Sequence, residues 1–284
     1  MPAPSTESGS VQPIPSSWWR DLAGTIARAY KPFPIAGFYL ALLTLIEVLA
    51  VLRSPQIGQA LYLLILFLLL LHTSLTWERP IHRFLLSLAF VPLIRVISLA
   101  LPLARFPLIS WYLIVSIPLF AAAYVVIRLL KLRPWNGAGY GRGWLPQLAF
   151  APTGILFGTI EYLILQPEPL VSITSWQELL IAAVILLVCT GLLEELIFRG
   201  IMQRTAVEQL GRLWGIAYVA IIFAMLHLGY GSLQDVLVVL AIGLLFGWFV
   251  ARTGSLLGVT LSHGLTNITL FLIIPFWLAA GGQA

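Results

Sequence analysis

The sequence predicts an all-α fold, a polytopic transmembrane helix bundle of about 8–9 spans, and three observations carry that prediction. The chain is 60% hydrophobic and 10% charged, whereas a soluble domain is about 45–50% apolar and about 25% charged. Its apolar residues fall in runs near the length of about 20 residues that a helix needs to cross a hydrocarbon core about 30 Å thick. Short breakers rich in Pro, Gly and Ser separate the runs, so no soluble domain fits between them.

Taken in order, residues 1–17 are rich in Pro and Ser and lack Lys and Arg, the composition of a disordered tail. They have neither the positive start nor the apolar run of a secretory signal, so the first span is expected to act as the insertion signal. Residues 18–32 mix Trp18, Trp19 and Tyr30 with Arg20, Arg28 and Lys31, which predicts an amphipathic helix lying at the headgroups. Apolar runs follow near 33–52, 56–76, 83–104, 107–130, 146–166, 176–198, 213–228, 233–251 and 255–280. The joints are Ser54–Pro55, Arg79–Pro80, Arg105 to Pro107, RPWNGAGYGRG, QPEP and RTGS. Residues 33–170 form transmembrane helices with no motif that assigns them a role, and 171–280 form the core that carries the chemistry.

The net charge of +5 does not point to a nucleic acid, because the basic residues are spread over short loops rather than gathered on one segment. They read as topology signals. Alternate connections place 13 of the 16 Lys and Arg on one side and 2 on the other, with Arg95 inside a span. The positive-inside rule then predicts a cytoplasmic N-terminus, with the plasma membrane as the expected location. The single cysteine, Cys189, lies in an apolar run and reads as a small core residue.

Ionisable residues inside spans are costly and therefore informative. Glu47, Arg95 and Glu161 fall in the first, third and fifth runs, and the expected arrangement is Arg95 paired with one or both glutamates. His72, beside Thr73 and Ser74 at a span end, reads as interfacial.

The last third differs in kind. Its polar residues cluster in LLEELIFRG (192–200), FAMLH (223–227) and LSHGLTN (261–267). Singly, Glu195 and Arg199 could be a one-turn ion pair, His227 a core histidine, and His263 with Asn267 helix–helix hydrogen-bonding glue. Helix arithmetic argues for one site. If Gly211 turns between antiparallel helices, Glu194 lies 17 residues before it and His227 lies 16 after it, both about 25 Å from the turn. The intervening MQRTAVEQLGR is expected to project toward the cytoplasm as an amphipathic stretch. His263, 8 residues past Ser255, sits about 12 Å below the same face.

Grouped, these residues have the inventory of a water-activating hydrolytic site. Burial disfavours a carboxylate's charge and a nearby guanidinium favours it, and the balance can poise Glu194 as a general base near neutral pH. Glu195, one turn from Arg199, is better placed to pair with it. His227 can bind the water or shuttle a proton, and His263 with Asn267 can donate to a developing oxyanion. There is no HExxH and no GxSxG elbow. Glu194, His227 and His263 could instead supply three zinc ligands with an open water position. Metal-free glutamate chemistry is preferred, with no cofactor certain and zinc the metal such a site would take.

In this order and within apolar helices, EExxxR (Glu194, Glu195, Arg199), FxxxH (Phe223, His227) and HxxxN (His263, Asn267) resemble the CPBP family. That family groups the type II CAAX prenyl endopeptidases with bacteriocin-processing and immunity proteins. The resemblance covers about 175–275, and all six polar positions of the pattern are present. It implies an α-helical intramembrane endopeptidase opening toward the cytosol, in which Glu194 activates water while His227, His263 and Asn267 position it and stabilise the oxyanion. The substrate it implies is a peptide or membrane-anchored protein tail, as in CAAX or leader-peptide processing, with the lipid bilayer as the other partner. The rival classes are a transporter, which would predict inverted repeats with broken helices, and a non-catalytic immunity or scaffold protein using the same fold.

Overall fold

The computed structural model describes residues 31–101, 106–133, 143–170 and 175–281. The expected disordered tail, nearly all of the interfacial helix, Arg105 and most of the glycine-rich connection lie outside the described residues.

Among the described residues, nine helices are long and apolar enough to cross a membrane, so the chain is an integral, multi-pass membrane protein. The first two spans are α1 (Pro32–Leu52) and α2 (Pro55–Leu75). Pro32 and Pro55 open them, where the missing N–H costs nothing; Ser54 caps α2 by accepting from the Ile57 N–H at 3.4 Å. The third span, expected as one run, divides into α3 (Ile81–Leu88) and α4 (Phe90–Ala100) at Ala89. The fourth is α5 (Leu108–Leu129). The fifth comprises α6 (Leu145–Phe150) and α7 (Thr153–Leu165).

The sixth span, α8 (Trp176–Leu210), is the longest at 35 residues. It begins with a reciprocal capping box between Ser175 and Glu178 and contains two wider π-helical stretches, Leu186–Leu192 and Leu196–Met202, on either side of Glu194 and Glu195. Such stretches cluster at functional sites because they rotate side chains out of α register. The end of α8 and the turn after it carry MQRTAVEQLGR as an amphipathic continuation of the helix, with Glu208 and Arg212 exposed and its other face packed on the bundle. Gln203 and Thr205 are buried, the Gln203 amide donates to the Gly247 carbonyl at 3.0 Å, and the Thr205 hydroxyl meets that of Ser87 at 2.6 Å. These two polar residues thus bind neighbouring helices.

Gly211, at φ +80°, makes the turn into α9 (Arg212–Met225), a backbone conformation that glycine adopts without steric cost. A 3-10 turn at Leu228–Tyr230 leads to α10 (Leu233–Thr253), and α11 (Leu257–Leu278) completes the bundle. Large apolar side chains such as Phe38, Phe67, Ile117, Leu163 and Trp277 point outward, as a lipid-facing perimeter requires.

Two close approaches set the interior. A Cβ on Gly191 of α8 would lie 2.9 Å from the Gly264 backbone of α11, and one on Gly158 of α7 would lie 2.4 Å from the Thr266 carbonyl. Small residues let helix backbones pack this closely, as is common in membranes. The first contact sets Glu194 and Glu195 against His263. The second carries Glu161, one turn beyond Gly158, to the same place.

Candidate active site

Glu195 is the anchor of the polar cluster. Fully buried, its Oε1 accepts from Arg199 Nη1 at 2.9 Å and from His263 Nδ1 at 2.8 Å. Arg199, 1% exposed, also donates to the Gly243 carbonyl at 3.4 Å, and its guanidinium lies 4.5 Å over the Phe223 ring. A buried charge pair is tolerable only when its remaining groups are hydrogen-bonded or stacked in this way. Because Nδ1 of His263 is held by Glu195, its Nε2 turns toward Glu194, whose Oε2 lies 3.8 Å away. Glu194 is only partly buried and lines a cavity of about 470 Å³ between α4, α5, α8 and α9.

His227 is oriented on the same principle. Its Nδ1 donates to the Phe223 carbonyl at 2.9 Å, which leaves Nε2 as the nitrogen free to meet a ligand. It lines the large cavity with Glu194, and it also lines a second cavity of about 30 Å³ with His263, Asn267, Thr266 and Glu161. That volume suffices for one water. Phe223 borders both cavities, and its ring lies 4.9 Å from that of His227 and 5.9 Å from that of His263. Asn267 donates from Nδ2 to the Thr190 hydroxyl at 2.7 Å, so one amide hydrogen expected at an oxyanion has a partner within the protein.

The structure thus places all six sequence-derived residues in one region: Glu194, Glu195 and Arg199 on α8, His227 just beyond α9, His263 and Asn267 on α11. The Gly211 hairpin brings Phe198 and Phe223 to 5.0 Å, in keeping with the equal distances from the turn. Ser262 turns away and bonds the Thr153 hydroxyl at 2.8 Å. Cys189 is a free thiol buried in the core, as expected, and it also borders the larger cavity.

The N-terminal helices contribute more than their sequence suggested. Arg95 does pair with Glu47, Nε to Oε2 at 3.0 Å, and Glu47 also accepts from the Tyr62 hydroxyl. Arg95 further donates to the Leu226 carbonyl, next to His227. Glu161 does not join that pair. It lies instead at the small cavity among the histidines, because Gly154 and Gly158 draw α7 onto α11. The signal in the sequence was the glycine spacing ahead of a buried acid, which has no meaning until the partner helix is known.

The donor chemistry would suit zinc, since each histidine has Nδ1 bonded and Nε2 turned to the site. The arrangement does not: among the described residues no group of three or more His, Cys, Asp or Glu side chains is placed to hold a metal ion.

An apolar helix bundle with a buried carboxylate–imidazole–guanidinium cluster beside an internal cavity defines an intramembrane protein with the groups of a hydrolase. Residues 176–269, about a third of the chain, match the family described as type II CAAX prenyl endopeptidase Rce1-like, a similarity that supports kinship of this segment with the CPBP intramembrane proteases. No curated protein and no solved structure matches the chain.

Proposed function

We propose that the protein is an intramembrane endopeptidase in which Glu194, without a metal, activates the water that cleaves a peptide bond. The observation that carries this reading is the juxtaposition of Glu194 with His263 at 3.8 Å on the edge of a cavity that His227 also lines. Glu194 removes a proton as the water oxygen attacks the scissile carbonyl, then returns it to the leaving amine. His227 offers Nε2 to orient the water. His263, lying between two carboxylates, and the second amide hydrogen of Asn267 donate to the developing oxyanion. Glu195 and Arg199 act through His263 by fixing its ring. The substrate is a peptide or membrane-anchored tail of the CAAX or leader-peptide kind, entering from the cytoplasmic side. The charge pattern supports that side: Arg79, Arg83, Lys131, Arg133, Arg204, Arg212 and Arg252 fall at one end of the alternating spans and Arg53 at the other. The expected location is the plasma membrane, with the N-terminus in the cytoplasm.

The test is cleavage of a prenylated peptide ending in a CAAX sequence by the purified full chain in detergent, with and without a strong chelator. Unchanged turnover is expected; loss on chelation with recovery on adding zinc would replace the glutamate mechanism by a metal one.

Glu161 extends the site beyond the family segment. As an acceptor on the one-water cavity it would hold the histidine–asparagine wall in register, so Glu161→Gln is expected to lower kcat by about tenfold or more with KM unchanged, since a hydrogen bond to a charged group contributes about 1.5–3 kcal/mol. A rise in KM at constant kcat would instead assign Glu161 to substrate binding.

A further inference from the structure

A separate cavity of about 520 Å³ opens at the end of the bundle where Gly211 turns the chain. Its wall draws cations from four places: Arg83 on α3, Lys131 and Arg133 just after α5, Arg199 and Arg204 on α8, and Arg212 at the start of α9. The end of α10 closes it through Val250, Ala251 and Gly254. Among the described residues Glu208 is the one carboxylate in this wall, and it pairs with Arg83 at 3.1 Å.

We propose that this cavity binds a phosphate group, that of an anionic phospholipid headgroup or of a soluble phosphate-bearing molecule. Membrane topology requires basic residues on this face, but it does not require six of them to converge on one hollow. Like charges gathered in a concavity repel one another, and low-dielectric walls focus their field, so an anion at the centre relieves a cost that the fold otherwise carries. Arginine forks match phosphate oxygens with paired N–H donors. A second observation points the same way: Arg199, part of this wall, has a buried Nε with no hydrogen-bond partner although its other nitrogens are bonded. The volume falls within the range of about 300–1,000 Å³ typical of small-ligand sites. The cavity lies at the membrane end of the helices, where headgroups sit, and its ligand would share the guanidinium that holds Glu195. This inference does not depend on the peptidase reading.

The experiment uses the full chain in nanodiscs of phosphatidylcholine alone, of phosphatidylcholine with phosphatidylglycerol, and of phosphatidylcholine with inorganic phosphate in the buffer. Thermal midpoints and lipid retention in native mass spectra are read for the wild type, for Lys131→Gln with Arg133→Gln, and for Arg53→Gln at the opposite end. Phosphatidylglycerol is expected to be retained and to raise the midpoint of the wild type and of Arg53→Gln, and the double variant to weaken retention by about thirtyfold. Saturable stabilisation by inorganic phosphate in phosphatidylcholine, lost in the double variant, would support the site and assign a soluble source. Equal retention of both lipids with phosphate inert would overturn the proposal, and so would a double variant that behaves as wild type. Arg212→Gln serves as the second variant if the double one fails to fold.

Discussion

Glu194→Gln is expected to reduce cleavage of a prenylated CAAX peptide by a factor of about 10²–10⁴, the contribution of a positioned general base, while leaving the fold intact. The side chain is partly exposed to the large cavity, and the His263 imidazole stands 3.8 Å from its carboxylate. An isosteric amide therefore keeps the packing and the size of the group but cannot take the proton. The measurement is kcat and KM on protein in one detergent, with the thermal midpoint read on the same samples. A variant that cleaves within a few-fold of wild type at an unchanged midpoint would remove Glu194 from the chemistry. Glu161 would then be the next carboxylate to test.

Arg199→Met is expected to cost about 3–5 kcal/mol of stability, the penalty for stranding a buried charge, and to abolish cleavage as well. Removing the guanidinium leaves the fully buried Glu195 carboxylate with His263 as its remaining partner, and takes away the cation stacked on Phe223. His263 would then be held by a carboxylate that has lost its own support. The double variant Arg199→Met with Glu195→Leu separates the two effects. An apolar pair of similar volume is often as stable as the ion pair it replaces, so the thermal midpoint should recover while cleavage does not. Recovery of both would mean that the pair serves folding alone. A midpoint and a cleavage rate both unchanged in the single variant would mean that it serves neither.

The legible part of this protein was its periodic part. Run lengths and Pro, Gly and Ser breakers located the spans to within a few residues except the sixth, which continues to Leu210 rather than ending near 198, and the polar residues of α8, α9 and α11 stood out because ionisable groups in apolar helices are costly. Even the shared depth of Glu194 and His227 could be computed, since both are counted from one turn at Gly211 and an α-helix rises by about 1.5 Å per residue. The division at Ala89 was missed because its breaker, Pro92, lies inside the apolar run rather than at a joint: lacking an N–H, it cannot bond the Leu88 carbonyl, where α3 ends. The partners of Gln203 and Thr205 were not legible, because the same hydrophilic pattern describes a solvated face and a set of buried interhelical hydrogen bonds.

The sequence by itself determined the class of the molecule: an all-helical membrane bundle with a Glu–Arg, His and His–Asn set on three of its helices. Composition and local spacing suffice for that, because bilayer thickness fixes the span length and one helical turn fixes which neighbours share a face. Only the tertiary structure decided which helices touch. It placed His263 on Glu195 rather than leaving it as glue with Asn267, gave Arg95 to Glu47 and the Leu226 carbonyl, sent Glu161 to the histidines, and gathered six distant cations around one cavity. Contacts between helices far apart in the chain depend on where backbones approach most closely. Here Gly191 against Gly264, and Gly158 against Thr266, set that approach.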